Sequence, residues 1–435
     1  MVHPPHSPVS SPDPLAKHDP YAPFRVPAYR AYMIGSIFAL IGSRVQSVAI
    51  AWELYERTGS ALSLGLVGAV QAAPMMALAL PAGWLADRFS RKWLIIACLC
   101  CTAMTSLLLA AQSAVAAPVG WMYAVLFLDA AFLAITRPAR QAILPALVPK
   151  EIFPGAVAWR SSLFQLASIF GPGVGGFIIV WSLPAAYVVS ACTELLFAGL
   201  FLRLALTQSV TRAGRPTLGA MLEGVRFMWR NRIVLVVTSL DLFAVLLGGA
   251  TYLLPIFAAD ILDVGATGFG FLNAAPAAGA LVMALILAFA PPMKRAGRNL
   301  LLAVAGFGGA TIVFGLSENF LLSLAMLFIT GLCDNVSVVI RHSLVQLLTP
   351  DEMRGRVSAV NGVFIGASNE LGGLESGVVA HLFNPVISVV SGGVGCLLVV
   401  GAAALASPSL RRLGALADVE TAEPEPPATA ALPGK

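Results

Sequence analysis

The chain has 435 residues, of which 58% are hydrophobic and 11% are charged, and its formal net charge is +5 at pH 7. Soluble domains carry roughly 25% charged residues, so this composition excludes a soluble protein and predicts that most of the chain faces lipid. The basic excess is small and no basic run is interleaved with aromatic residues, so no nucleic-acid partner is expected. The six cysteines lie in apolar segments without metal-ligand spacing. We therefore expect no disulfide, no metal site and no cofactor.

The ends of the chain differ from its middle. Residues 1–27 are rich in proline and lack the basic-then-apolar start of a signal peptide, so they predict a disordered tail, as do residues 407–435. Between the tails lie twelve apolar segments, each near or above the ~20 residues that cross a bilayer as a helix. Their bounds are about 30–54, 61–86, 93–113, 119–147, 155–181, 184–206, 233–259, 266–291, 299–317, 319–348, 357–382 and 384–406. We place the two closest divisions at Pro184 and at Asn384-Pro385.

Charge predicts the orientation of these segments. Bases cluster around the turns after the even-numbered segments, whereas the other turns hold Arg57 as their only base. Because cytoplasmic loops carry the excess of Lys and Arg, both termini are predicted to be cytoplasmic. The longest interior link, residues 207–232, begins with polar residues and then shows apolar residues at helical spacing beside several arginines. This pattern predicts a cytoplasmic linker with an interfacial helix.

The regions on either side of this linker, residues 28–206 and 233–406, look alike. The stretch from Arg140 to Glu151 parallels the stretch from Arg341 to Glu352, an offset of 201 residues. At the same offset, Gly171 falls on Gly372 and Gly176 on Gly377. Repeated turns and glycines at one offset predict two parallel six-helix halves with a cavity between them near the membrane midplane.

The turn after the second segment reads Gly-Trp-Leu-Ala-Asp-Arg-Phe-Ser-Arg-Lys, from Gly83 to Lys92. A plain interpretation is a solvated basic turn. The stretch also resembles the G-x-L-A-D-R-x-G-R-K loop of major facilitator superfamily transporters, with Ser90 where the family has glycine. A turn that needs a positive φ tolerates serine less well than glycine. The resemblance implies an all-α integral membrane protein with the major facilitator fold, twelve transmembrane helices in two pseudo-symmetric six-helix halves. It also implies a cytoplasmic gate loop made of Gly83, Asp87, Arg88, Arg91 and Lys92.

The fifth segment contains Gly171-Pro-Gly-Val-Gly-Gly176. Small residues let helices pack closely and proline bends them, which is a sufficient structural explanation. The stretch also resembles the G-P-x-x-G-G core of the superfamily's antiporter motif, with Ala167 in place of an upstream glycine. That resemblance implies export rather than import and assigns the motif to Gly171, Pro172, Gly175 and Gly176.

Charges inside the apolar segments are the candidate site residues, because a charge at the bilayer centre costs roughly 3 kcal/mol. We predict Glu375 and Glu370, beside Asn369, as the proton site, with Arg44 assisting proton release. The two glutamates lie about 140° apart around a helix, so both cannot face one cavity squarely. Asp129 and Asp334, the latter beside Asn335, are the next candidates. An ion pair between Arg44 and one of the acids, with Glu194 and Asp241 purely structural, is the alternative.

Two regions resemble the enterobactin-exporter-like branch of the superfamily, which includes macrolide efflux proteins: Gln46–Ser60, and Asp334 through Asn361. The resemblance covers about residues 28–406. It implies a monomeric, proton-coupled exporter of a small amphiphilic compound, such as a siderophore, antibiotic or drug, in the bacterial inner membrane. The superfamily's basic motif in the fourth segment is not clear, since Asp129 lies near the expected arginine. An importer of the same fold is the main alternative. A membrane enzyme or a non-transporting sensor is less favoured, because no HExxH, GxSxG or Walker loop is present.

Overall fold

A computed structural model describes residues 19–204, 218–248, 250–291 and 293–415. Every regular element in these ranges is helical. The α-helices are α1 (Pro27–Thr58), α2 (Ala61–Ala77), α3 (Ala79–Arg88), α4 (Arg91–Ala114), α5 (Val119–Leu147), α6 (Phe153–Trp181), α7 (Leu183–Leu202), α8 (Leu218–Arg230), α9 (Arg232–Leu247), α10 (Leu254–Ile256), α11 (Gly265–Phe289), α12 (Ala296–Gly315), α13 (Phe320–Leu347), α14 (Asp351–Leu382), α15 (Pro385–Ala406) and α16 (Pro408–Arg411).

All twelve predicted segments contain a helix. Ten helical segments in the described part of the chain are long and apolar enough to cross a membrane. The second predicted segment is the shorter apolar α2 continued by α3, and the eleventh is α14, which spans 32 residues but carries several charged side chains. The predicted divisions also hold, because Ser182 caps α7 and Asn384 caps α15 through their side chains.

Two segments that we predicted as continuous are broken. The second breaks at Leu78, because Pro81 has no N–H to bond the carbonyl of Ala77. The seventh ends as α9 at Leu247 and continues through a 3₁₀ turn (Ala250–Leu253), α10 and a π-helical turn (Phe257–Ile261). Pro255 lies in the first turn of α10, where its missing N–H costs no helical hydrogen bond. The second break places Tyr252 beside α14, with consequences for the candidate site.

The predicted disordered tails are wrong near the helical core. At one end, Ala22–Arg25 forms a 3₁₀ helix, and Trp159 of α6 donates a hydrogen bond to the Pro20 carbonyl (2.8 Å). At the other end, α16 buries Leu410 completely, and the Gly414 carbonyl accepts a hydrogen bond from Ala296 (2.9 Å). These aromatic and apolar contacts order both flanks. Residues 1–18 and 416–435 lie outside the described residues.

The linker region contains α8, an amphipathic helix. Its Met228 is buried against Val357 and Val360 of α14, whereas Leu222 and Trp229 are exposed. Glu223 forms an ion pair with Arg356, which also ties α8 to α14. Residues 207–217 lie outside the described residues.

The two halves meet along two pairs of helices, α2 with α14 and α6 with α11. In the first pair Gly65 lies against Gly377, and in the second Gly176 lies against Ala266. Positions 65 and 266 differ by the same 201 residues as positions 176 and 377. The two contacts are therefore related by the internal repeat seen in the sequence, and glycine at these positions lets the backbones touch.

The halves are joined more closely at one face of the membrane. We call the face with the Phe89–Ser90 turn, α8 and α16 the basic face, and the face with Gly59 and the Phe257–Ile261 turn the opposite face. Toward the opposite face, Tyr55 hydrogen-bonds Asp260 across the halves and Trp52 stacks on Phe269 (5.8 Å between centroids). A single apolar core there contains side chains of both halves, whereas toward the basic face each half has a core of its own. This arrangement closes the opposite face.

Cysteine labelling tests the orientation of this bundle. In a background with the six native cysteines replaced, we expect Thr58→Cys and Val115→Cys to react with an impermeant thiol reagent in intact cells, because both lie at the opposite face. Ser90→Cys should react only after the membrane is permeabilised. Labelling of Ser90→Cys in intact cells would reverse the predicted orientation.

Candidate transport site between the halves

Glu370 of α14 lies where three elements meet. The Tyr252 hydroxyl, from the break after α9, donates a hydrogen bond to the Glu370 carboxylate (2.8 Å). The Glu370 backbone carbonyl contacts Gly68 of α2, in the other half of the protein. We call the contacts of α2 with α14 and of α6 with α11 the joint between the halves. A titratable side chain thus lies at this joint, and the broken seventh segment supplies its hydrogen-bond partner.

Glu375 occupies a different face of α14. Its described partner is the hydroxyl of the next residue, Ser376, which donates a hydrogen bond to it (3.3 Å). Leu371 and Val378, about one turn away on either side, are exposed apolar side chains. The neighbouring predicted residue, Asn369, bonds the Ile365 carbonyl of its own helix (2.9 Å). Of the two glutamates, Glu370 is therefore the one whose described contacts link α14 to α2 and to the break after α9.

In the second half, Arg341 of α13 forms a buried ion pair with Asp241 of α9. This agrees with the structural alternative for Asp241, although the sequence did not identify Arg341 as its partner. The internal repeat gives no signal for the pair, because it makes Arg341 equivalent to Arg140 and Asp241 equivalent to Leu40. Asp334, two turns before Arg341 on the same helix, is exposed. The side-chain oxygen of Asn335 is buried without a hydrogen-bond partner in the described ranges.

The alternative in which Arg44 of α1 forms an ion pair with an acid is not seen in the part of the chain that the structure describes. Its guanidinium lies over the ring of Phe164 of α6, 5.7 Å from the centroid, and its Nε has no hydrogen-bond partner among the described residues. Its side-chain stem packs against Gly171. An aromatic face stabilises a cation but does not neutralise it.

Asp129 lies within the first half rather than between the halves. It is buried in α5, and its carboxylate accepts a hydrogen bond from Thr105 of α4 (2.6 Å). Glu194 of α7 is equally buried and lies within electrostatic range of Asp129.

Two basic side chains of the predicted gate loop, Arg91 and Lys92, donate hydrogen bonds to backbone carbonyls of α5 and of the end of α7, in their own half. Arg91 donates to the Ala142 carbonyl (3.3 Å), and Lys92 donates to the Leu202 and Leu204 carbonyls (2.8 and 2.6 Å). A cation at the end of α7 stabilises its unpaired carbonyls and its dipole. Arg88 lies over the Trp84 ring (5.0 Å to the centroid), and the side chain of Asp87 is outside the described residues.

The expected difficulty with Ser90 is absent. Ser90 has φ −58°, outside the left-handed region, and simply precedes the first residue of α4. Serine adopts this conformation without strain, so the departure from the family's glycine costs the loop nothing.

The glycine stretch of α6 serves close packing. Gly171 and Gly175 contact Arg44 and Val45 of α1, and Gly176 contacts α11 across the halves. Pro172 lies inside α6, which continues to Trp181 without interruption. These contacts agree with the close-packing explanation of this stretch, and one of them lies between the halves.

Two repeated six-helix halves that meet around charged side chains inside the membrane define a secondary transporter of a small-molecule substrate. A family model described as "Transmembrane secretion effector" matches residues 18–433. The chain belongs to this family of the major facilitator superfamily, in its enterobactin-exporter branch. The predicted fold class and the prediction that the protein is not an enzyme are thereby confirmed.

Similar proteins agree with this assignment. The enterobactin exporter EntS of Escherichia coli O1:K1 / APEC is 27% identical over 395 residues, covering 86% of this chain and 90% of that protein. The Shigella boydii serotype 18 protein of the same name gives the same values. A bacterial homolog of the human lysosomal transporter Spinster, in an inward-facing and occupied conformation, has TM-score 0.69 at 15% identity, covering 88% of this chain and 97% of that one. A POT family transporter bound to a thioalcohol-conjugated peptide has TM-score 0.70 at 10% identity, covering 88% and 96%.

Proposed function

We propose that this protein exports a small amphiphilic compound across the bacterial inner membrane in exchange for protons. Both termini are then cytoplasmic and the structure represents the inward-facing state. The observation that carries the proposal is Glu370, a carboxylate at the joint between the halves. The relatives' name supports the direction of transport, and the lack of a nucleotide-binding motif supports an ion gradient as the energy source.

Glu370 couples the proton to the movement of the halves through its charge. When the opposite face opens, water reaches Glu370 and the carboxylate takes up a proton from that side. In the described state, with the opposite face closed, the Tyr252 hydroxyl donates to the carboxylate and stabilises its ionised form, so the proton leaves toward the basic face. Alternating between the two faces therefore moves protons inward as substrate moves outward.

Arg44 is the residue that we assign to the substrate. It is a permanent cation without an acidic partner among the described residues, next to the joint formed by α6. An acidic group on the substrate would supply the missing counter-charge. Enterobactin, which the relatives' name gives as their cargo, is the first compound to test.

Cellular retention of this compound tests the proposal. Cells with the protein should retain less compound than cells without it. An uncoupler should remove that difference while fermentation maintains ATP. Retention that follows ATP alone would contradict proton coupling, and greater retention in cells with the protein would favour the importer.

The predicted gate loop, which contains Asp87, gives a separate prediction. Asp87→Asn is expected to preserve expression and folding, since ion pairs at a surface turn contribute only about 0–1 kcal/mol each. We expect it to lower transport about tenfold or more, because a bias of a few kcal/mol between two conformations decides their populations. The measurement is substrate efflux at matched expression. Asp19→Asn is the control, since Asp19 pairs with Arg25 outside the joint. Normal efflux by Asp87→Asn would leave this loop as a solvated turn.

A further inference from the structure

We propose that one face of α8 binds an anionic phospholipid of the bilayer leaflet at the basic face. This face consists of Leu222, Arg226, Trp229 and Arg230, and we call it the outer face of α8. The two arginines bind the phosphate and headgroup of the lipid, and Leu222 and Trp229 lie against the upper part of its acyl chains. This binding requires no substrate and is independent of the proposed transport activity.

The outer face of α8 lies opposite the face that packs on α14. Met228 is 4% exposed and packs against α14, and a Cβ at Gly224 would lie 3.1 Å from the Arg356 carbonyl oxygen. The four residues of the outer face are spaced so that they lie within about 100° of one another around the helix, on the other side. Leu222 is 65% exposed and Trp229 is 69% exposed. Large apolar side chains are thus presented away from the protein.

The outer face also carries two cations without a counter-charge. Arg226 and Arg230 are exposed, and neither forms an ion pair or a side-chain hydrogen bond with a described residue. The acid beside them, Glu223, is already paired with Arg356. A guanidinium group binds phosphate through two parallel hydrogen bonds, and anionic lipids attract such cations near the membrane surface. The charge of this face therefore complements a phospholipid headgroup.

The outer face lies at the boundary of the membrane. Trp229 is less than one helical turn before Arg232, the first residue of α9, which begins a candidate membrane span. Arg232 donates a hydrogen bond to the carbonyl of Ala406, the last residue of the apolar helix α15 (3.1 Å). Two spanning helices therefore end at the level of the outer face.

The packing of α8 on α14 gives the same level. The 32 residues of α14 correspond to a helix of about 48 Å, which exceeds the ~30 Å hydrocarbon core of a bilayer. Val357 and Val360, against which α8 packs, lie about two turns inside the start of α14. This part of α14 is expected among the headgroups, and a helix with tryptophan, leucine and arginine on its free face is typical of that layer.

Quenching of Trp229 by brominated lipids tests this site. The purified protein is placed in phosphatidylcholine vesicles with a small fraction of brominated phosphatidylglycerol or brominated phosphatidylcholine. Quenching that disappears when Trp229→Phe is added to a given protein reports the lipid beside Trp229. Each cation near an anionic surface favours binding about fivefold. We therefore expect a preference for phosphatidylglycerol of about 25-fold in the wild type, about fivefold in Arg226→Gln and in Arg230→Gln, and none in the double variant.

The double variant Arg411→Gln, Arg412→Gln is the matched control, because it also removes two exposed arginines near the basic face. It should keep the preference at Trp229. Equal quenching by the two lipids in the wild type, a preference that survives without Arg226 and Arg230, or its loss in the control would overturn the site. Quenching by neither lipid would also overturn it, since water or a second copy of the chain would then cover this face.

A measurement on the wild type alone covers the case in which a variant fails to fold. Salt screens exposed charges, so high ionic strength should lower the preference for phosphatidylglycerol toward one. A preference that salt leaves unchanged would show that the arginines do not produce it, and the proposed site would be wrong.

Discussion

Glu370→Gln is expected to reduce substrate-driven proton movement to background without preventing folding or substrate binding. Glutamine keeps the shape of the side chain and an oxygen that accepts from Tyr252, but it cannot carry a proton. The joint with Gly68 depends on the backbone of residue 370, which this change leaves intact. The measurement is acidification or alkalinisation of vesicles on addition of substrate, with substrate binding measured separately on the same preparation.

Glu375→Gln is the matched control, since it makes the same change five positions along the same helix. We expect its proton movement to stay within about twofold of the wild type, as for a substitution outside a specific network. Loss of coupling in Glu375→Gln alone would reverse our ranking of the two acids. If both variants kept coupled movement, the α14 site would be wrong, leaving Asp129 and Asp334 as the remaining acids.

Gly176→Leu is expected to separate the halves at the opposite face and to abolish transport. A Cβ at this position would lie 2.7 Å from the Ala266 carbonyl oxygen and 3.1 Å from the Gly270 Cα, so backbone must move to accommodate it. Overpacking of this kind costs about 1–3 kcal/mol. A cost of that size, applied to only one of two conformations, shifts their ratio by about 5- to 150-fold.

The separation is measurable as a distance between spin labels at Glu56 and Glu318, exposed positions of the two halves at the opposite face. Gly173→Leu is the control, because a Cβ at Gly173 meets nothing within 4 Å although it lies in the same stretch of α6. We expect a longer distance in Gly176→Leu and an unchanged one in Gly173→Leu. Equal distances in both variants would show that the α6–α11 contact does not hold this face closed.

The sequence by itself determined the class of protein, the helical segments and the repeat. These are local properties: the length of an apolar run decides whether it crosses a bilayer, and a fixed offset between similar turns identifies duplication. The break at Leu78 was also within reach, because Pro81 removes a helical hydrogen bond. Hydropathy over the whole segment does not reveal such a break.

Only the tertiary structure decided which charges meet. Arg341 and Asp241 are 100 residues apart and pair, whereas Arg44 pairs with no acid in the described part of the chain. Glu370 and Glu375, which the sequence left close in rank, differ in their contacts with α2 and Tyr252. The physical reason is that these helices are apolar on nearly every side, so their sequence periodicity does not define which face turns inward. Helix rotation is set by glycine contacts between helices, and those contacts place each buried charge beside its partner or leave it without one.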